Sequence, residues 1–278
     1  MNKTLVICRV ESAHKAPVWA KTHGGYYDCL LSQYGTEIDP KHHHFIGGKW
    51  AGIYDLFTGS PELLERYEYF WLPDDDIETT PEEICKFLFI AQSEGFQLAQ
   101  PALTPSSVYA YRLTVSNPRF KFRKTNFVEL MLPLLHRDVL EKALPFFANR
   151  HAALGIDWMW HRLTSNPDED IAIVDCVPMG HHRPRKTHLA MRMRQNHRID
   201  IMKEREHTMR ELDIQPLVPR AHAGCLANGR AVKASRLAFE TIFGYWSIRN
   251  KIKQRRWVLD NYLEFLPLRK IRNIPDLS

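Results

Sequence analysis

Apolar residues along this chain fall into short runs that switch between the two-residue period of strands and the longer period of helices. Thr4 to Val10 reads as a first strand and Asp28 to Tyr34 as a second. Between Gly47 and Gly59, Trp50, Ile53, Tyr54 and Phe57 have helical spacing, and Glu62 to Tyr67 reads as a further short helix. Tyr69 to Leu72 suits a covered strand, ended by Pro73, which has no backbone donor. Pro81 to Ser93 predicts a helix with Ile84, Phe87, Leu88 and Ala91 on one face. Gln97 to Gln100 reads as a short strand broken by Pro101, Phe127 to Leu132 as strand-like, Arg137 to Asn149 and Ile156 to Leu163 as helical, and Ile171 to Val177 as a buried strand. This alternation predicts an α/β layered fold. After Leu189 the sequence turns charged and helical, punctuated by Pro216 and Pro219. The reading is an α/β body over 1–188 and a basic helical extension over 189–278.

Composition narrows the class. At 278 residues, 44% hydrophobic and 25% charged, the chain is an ordinary globular protein with a sizeable core. No apolar run approaches the roughly 20 residues that span a bilayer, and the apolar part of the N-terminal segment is too short for a secretory signal, so a cytoplasmic location is expected. Five scattered cysteines indicate neither a disulfide framework nor a zinc knuckle. The net charge of +6 gathers in the last third, from Arg183 to Arg205 and from Arg249 to Arg256. Such a stretch favours an anionic partner, a nucleotide diphosphate or an acidic membrane surface, with nucleic acid not expected; a solvated basic face is the plain alternative.

The run YEYFWLPDDDIE carries the strongest chemical signal, because an aromatic strand ends in Asp74, Asp75 and Asp76. Adjacent carboxylates repel unless a cation sits among them, and hard divalent ions such as Mn²⁺ or Mg²⁺ bridge carboxylates to substrate phosphates. An acidic turn leading into the helix start at Thr79, Thr80 and Pro81 is the alternative. No Gly-x-x-x-x-Gly-Lys-Ser/Thr loop, no Gly-x-Gly-x-x-Gly after the first strand and no Gly-x-Ser-x-Gly elbow occurs, which argues against P-loop hydrolases, dinucleotide oxidoreductases and serine hydrolases of those types. A metal-dependent phosphoesterase using the aspartates and His181 stays open.

Six pieces in order, GGKW with its following helix, YEYFWLPDDDIE, LAQPALTP, TNFVELMLPLLHR, LGIDWMW and IAIVDCVPMGHHRP, span Lys49 through Pro184. This segment resembles the glycosyltransferase-like domain-of-unknown-function family 707, which is similar to GT-A-type nucleotide-diphospho-sugar transferases. The resemblance covers about half of the chain and implies a GT-A-like, Rossmann-type mixed sheet flanked by helices, here with a helical C-terminal extension. It implies that Asp74 and Asp76 hold the metal as the outer positions of an Asp-x-Asp motif, with Asp75 between them on the donor side. His181, or His182 beside it, is implied as a further metal or phosphate contact. Asp157 becomes the candidate base for the acceptor hydroxyl, with a helix cap as its alternative. Trp158 and Trp160 beside it read as core, or as sugar-stacking rings.

Glu129, a charge inside an apolar run, is a second base candidate. Arg9, Lys49 and Gln100 are candidate donor contacts, Lys49 because a Gly-Gly turn delivers it to a helix start. The role of Asp175 is open, and His42 to His44 resemble a metal tract only superficially. The implied partners are a nucleotide-diphospho-sugar donor and a glycan or glycolipid acceptor, with the basic helices covering the acceptor side or touching a membrane. The competing reading is a catalytically inactive transferase-like body that binds membranes or acidic partners.

Overall fold

In the first strand, β1 (Thr4–Val10), every residue is buried, because alternate side chains enter separate cores. Val6, Cys8 and Val10 join one cluster with Trp19, Trp71 and Phe87; Leu5 and Ile7 join the other with Trp50, Phe57 and Phe70. A sheet covered on both faces explains why its strands read as continuous apolar runs. The computed structural model describes residues 3–22, 25, 27–182 and 199–252. The expected boundary near residue 188, and much of the basic sequence beyond Arg183 and beyond Ile252, lie outside the described residues.

The remaining strands are β2 (Asp28–Gln33), β3 (His43–His44), β4 (Tyr69–Trp71), β5 (Ile77–Glu78), β6 (Leu98–Leu103), β7 (Phe120–Thr125), β8 (Leu134–His136), β9 (Ile171–His181), β10 (Ala221–Leu226) and β11 (Ala231–Lys233). The helices are α1 (Val18–Lys21), α2 (Lys49–Gly59), α3 (Glu62–Arg66), α4 (Pro81–Ser93), α5 (Arg137–Ala143), α6 (Ile201–Glu211) and α7 (Ala234–Ser247). The sheet runs β11-β10-β7-β9-β6-β8-β4-β1-β2-β3, with β5 on the end of β9. β1 is parallel to β2 and β4, β6 is parallel to β9, and β8 runs antiparallel between β4 and β6. Hence β1, β2, β4, β6 and β9 all point the same way. The chain adopts the expected α/β class, a mixed sheet flanked by helices. α4 starts where the sequence places it, with Thr80 and Glu83 forming a reciprocal capping box.

Several elements differ from expectation for physical reasons. In Phe127 to Leu132 the residues Phe127, Val128, Leu130 and Leu132 are buried, but the segment forms no strand. Its carbonyls instead accept side-chain donors: Val128 from Trp160 at 3.0 Å, Leu132 from Trp71 at 3.1 Å, and Leu130 and Met131 from Lys49 at 3.0 Å each. β6 continues through Pro101 to Leu103, with a register irregularity there that absorbs the missing donor. The helix from Arg137 stops at Ala143 and tightens into a 3₁₀ turn containing Pro145, and Ile156 to Leu163 forms two 3₁₀ turns rather than one helix. The C-terminal third is not purely helical, since its hairpin β10–β11 joins the sheet beside β7.

α7 is fastened to β7 and β9 by a buried ion pair. The Arg123 guanidinium donates to both Asp175 oxygens at 2.9 and 2.8 Å, to Leu113 and Val115 carbonyls, and to the Tyr245 hydroxyl at 3.0 Å. Asp175 also accepts from the Asn117 amide at 2.8 Å. The open role of Asp175 is therefore this pairing. Deleting one partner leaves an uncompensated charge, so Asp175→Ala is expected to lose about 3–5 kcal/mol in urea unfolding. A loss under about 1 kcal/mol would show that the pair does not hold α7 to β7 and β9.

Candidate functional site

The parallel strands end together, and a cavity of about 830 Å³ opens at their carboxyl ends. Arg9 and Glu11 reach it from β1, Tyr34 from β2, Asp74 to Asp76 from β4, Val108 to Tyr111 from the turn after β6, and His181 from β9. Ligands of open α/β sheets bind in this crevice, because it is where buried strands release polar backbone and side chains. Lys49, Glu129, His151 and Asp157 complete the polar wall.

Lys49 opens α2, and its ammonium donates to Asp74 at 2.7 Å and to the Leu130 and Met131 carbonyls. All three ammonium hydrogens are thereby used, so Lys49 binds its own chain rather than standing free for a diphosphate. Arg9 donates to Ser32 at 2.8 Å and to the Phe45 and Gly47 carbonyls at 3.0 and 2.9 Å. A Cβ at position 52 would lie 2.3 Å from this guanidinium, so Gly52 is what lets α2 pass over it. Burial lowers Arg9 to about 10. His43 accepts from Ser32 and donates to Asp55 at 3.0 Å, so it props Arg9 rather than forming part of a metal tract.

Asp75 accepts from the Tyr34 hydroxyl at 3.3 Å. Asp76 faces His181, with 3.6 Å between carboxylate and Nε2, while His181 Nδ1 donates to the Val108 carbonyl at 2.8 Å. Burial pushes His181 down, but the Asp76 bond, the Val108 carbonyl and the charges of Asp76 and Asp74 outweigh it and raise its pKa. Among the described residues no three His, Cys, Asp or Glu side chains lie close enough to hold a metal ion. The expected set of Asp74, Asp76 and His181 is thus not gathered, since Asp74 is engaged by Lys49. Asp76 with His181 remains a two-donor seat of oxygen and nitrogen, which suits an ion that takes its other ligands from phosphate and water.

Glu129 and Asp157 are brought to the same wall from segments far apart in sequence. Burial, then the charge of Asp157, push Glu129 up to about 8, and its Oε2 has no hydrogen-bond partner. Asp157 is 6% exposed, and burial lifts it to about 7 against backbone amides of Gly155, Asp157 and Trp158 that favour its charge. Gln100 departs from its expected donor contact. It is fully buried, lies off the cavity wall, and accepts the Glu129 amide at 2.6 Å, which positions that carboxyl. Trp160 is core, and Trp158 donates to Tyr111 at 3.1 Å beneath Arg205 of α6.

Sequence reasoning missed Tyr34, Tyr109, Tyr111 and His151 on this wall. Tyr109 and Tyr111 lie in an irregular turn after β6, where no strand period marks which side chains line a cavity. His151 carried no signal either, because its place is set by Glu204 of α6, which accepts the backbone amides of His151, Ala152 and Ala153 at 2.8–2.9 Å.

No protein-family model matches the chain, family 707 included, and no curated protein matches it. Solved structures do. S. aureus TarS 1-349 in complex with UDP aligns at 9% identity and TM-score 0.46 over 64% of this chain and 59% of that one. The same TarS segment in complex with UDP-GlcNAc aligns at 9% identity and TM-score 0.44 over 78% and 68%. A glycosyltransferase involved in the glycosylation of the major capsid of PBCV-1 aligns at 11% identity and TM-score 0.38 over 62% and 82%. The chain spans about three fifths of the first of these.

The raised carboxyls fix a pH dependence. Near Glu129 stand Asp157, His181, Asp74 and Lys49. A carboxyl with a raised folded pKa is bound to its proton more tightly in the folded chain, so its stabilising effect is full below about pH 4 and is lost as pH rises through about 7 for Asp157 and about 8 for Glu129. Glu129→Gln cannot lose that proton, and thermal melting from pH 5 to 9 should show the variant gaining on the wild type from pH 5 up to about pH 8, by on the order of 1 kcal/mol per pH unit, and no further above that. Parallel curves would place Glu129 in contact with water.

Proposed function

We propose that this chain transfers a sugar from a nucleotide-diphosphate donor to a hydroxyl acceptor. The observation that carries the reading is the convergence, on one cavity at the carboxyl ends of five like-directed strands, of an aspartate run and two buried carboxyls of raised pKa, Glu129 and Asp157. The ordered pieces from Lys49 to Pro184 that resemble GT-A-type transferases support it.

In the proposed chemistry an acceptor hydroxyl attacks the anomeric carbon, the bond from that carbon to the diphosphate oxygen breaks with its electron pair, and the hydroxyl proton passes to a cavity carboxylate. Asp157 is the better base. Its pKa of about 7 leaves it ionised in a useful fraction near neutrality, whereas Glu129 at about 8 mostly holds its proton and is suited to donating a hydrogen bond. Attack from the face opposite the leaving group would invert the anomeric centre. Asp76 and His181 would hold Mn²⁺ or Mg²⁺, whose chemistry when bound is to neutralise charge on the departing diphosphate. Asp75 and Arg9 line the same cavity and would be donor contacts, while Asp74 and Lys49 keep the aspartate run in place. The acceptor, glycan or glycolipid, would enter beside Tyr109, Tyr111 and Asp157.

The test is thermal-shift binding of UDP, GDP, CMP and dTDP, each with and without Mn²⁺, on the wild type and on Asp76→Asn. One nucleotide should stabilise the wild type by about 3 kcal/mol at roughly a hundredfold excess over Kd, only with metal, and not the variant. No response to any nucleotide with metal present would favour the catalytically inactive, binding-only reading.

A further inference from the structure

α7 is amphipathic in an unusual sense, because its solvent face is the aromatic one. Phe239, Ile242, Phe243 and Trp246 are 57, 37, 49 and 57% exposed. Their spacing places all four on one side of the helix. The opposite side, Leu237, Glu240, Thr241, Gly244 and Tyr245, is buried. It is also clamped: the Tyr245 hydroxyl donates to the Val115 carbonyl at 2.8 Å, and Asn117 donates to the Thr241 carbonyl at 2.9 Å. A Cβ at position 244 would fall 1.8 Å from Asn117, so glycine there allows the contact that fixes which face looks outward. Core packing therefore cannot absorb the exposed rings.

We infer that this face docks on an anionic lipid surface. Every exposed ring carries or neighbours a guanidinium: Arg236 lies 5.4 Å from Phe239, Arg119 5.3 Å from Phe243, and Arg249 4.6 Å from Trp246. From Lys233 to Lys251 the sequence holds a single acid, Glu240. Its carboxylate is withdrawn between Arg119 at 2.7 Å and Arg236 at 2.5 Å, with none of its side chain exposed. The face thus offers solvent apolar rings and cations and, from its own helix, no carboxylate. The sequence beyond continues in kind with Lys253, Arg255, Arg256 and Trp257.

Charge decides among occupants. A second copy would meet this face with the same face, setting arginine against arginine. A bilayer with anionic headgroups matches both parts at once: aromatic side chains enter the boundary between headgroups and acyl chains while the long arginine side chains stay at phosphate level. The inference stands apart from the transferase reading.

The experiment is flotation of the full chain with vesicles of neutral phosphatidylcholine and with vesicles containing about 30 mol% phosphatidylglycerol. The wild type should float with the anionic vesicles only, and less so as salt rises. Phe243→Ser with Trp246→Ser should weaken binding roughly tenfold or more, and Arg249→Gln about fivefold. These side chains are exposed, so circular dichroism and melting temperature should match the wild type. Failure of the wild type to float, or equal flotation of the double variant, overturns the inference. So does a concentration-dependent dimer on light scattering that the double variant abolishes, which would assign the face to self-association.

Discussion

The cavity depends on one ammonium group. Lys49 is the point at which the first turn of α2, the aspartate run after β4 and the irregular segment before β8 are joined, through Asp74 and the carbonyls of Leu130 and Met131. The Met131 carbonyl also accepts the Asp74 amide at 2.9 Å, so Lys49 reinforces a backbone contact there and supplies a donor to Leu130, where a buried carbonyl left without one would cost about 1–3 kcal/mol. The same contact supplies counter-charge where three aspartates follow one another. Gly48 permits the arrangement, since a Cβ there would sit 2.3 Å from the His151 carbonyl. Position and charge are settled by the same residue.

Around that anchor the sheet imposes a division of labour. Its central strands are covered on both faces, so polar chemistry emerges only at their ends. Three of the groups that emerge there are still poorly hydrated. Arg9 is lowered, Glu129 and Asp157 are raised, and in each case burial is the first cause. One constraint, exclusion of water from the end of a two-sided sheet, accounts for these three groups of opposite charge shifting toward neutrality, while at His181 the neighbouring Asp76 and Asp74 outweigh it.

Local pattern made the first half of the fold legible. β1, β4, α2 and α4 carry their own period and, in α4, their own cap, and Asp74 to Asp76 stand out because charge follows directly on an aromatic strand. What stayed hidden depends on distant partners. Phe127 to Leu132 has a strand's composition, yet its carbonyls are met by Trp160, Lys49 and Trp71, which no window on the segment contains. Gln100 looked like a ligand contact and proves to hold the Glu129 amide. β7 was missed because lysines and an arginine interrupt its aromatic positions, and Arg123 is a core residue only once Asp175 and Tyr245 are beside it. The hairpin β10–β11 lay within sequence whose charge reads as helix.

The order of the sheet also has a temporal side. β7, at residues 120–125, lies between β9 and β10, so one flank is completed by residues 171–181 and the other by residues 221–226. On a ribosome the chain would carry an open β7 edge for about a hundred residues of synthesis, several seconds or more at ordinary elongation rates. Unpaired edges template association, and natural sequences blunt them with charge. Lys121 and Lys124, which interrupt the apolar rhythm of β7, sit where that protection is needed before the C-terminal hairpin arrives. The basic residues that obscured the strand from its sequence are the ones that would keep the growing chain from pairing with its neighbours.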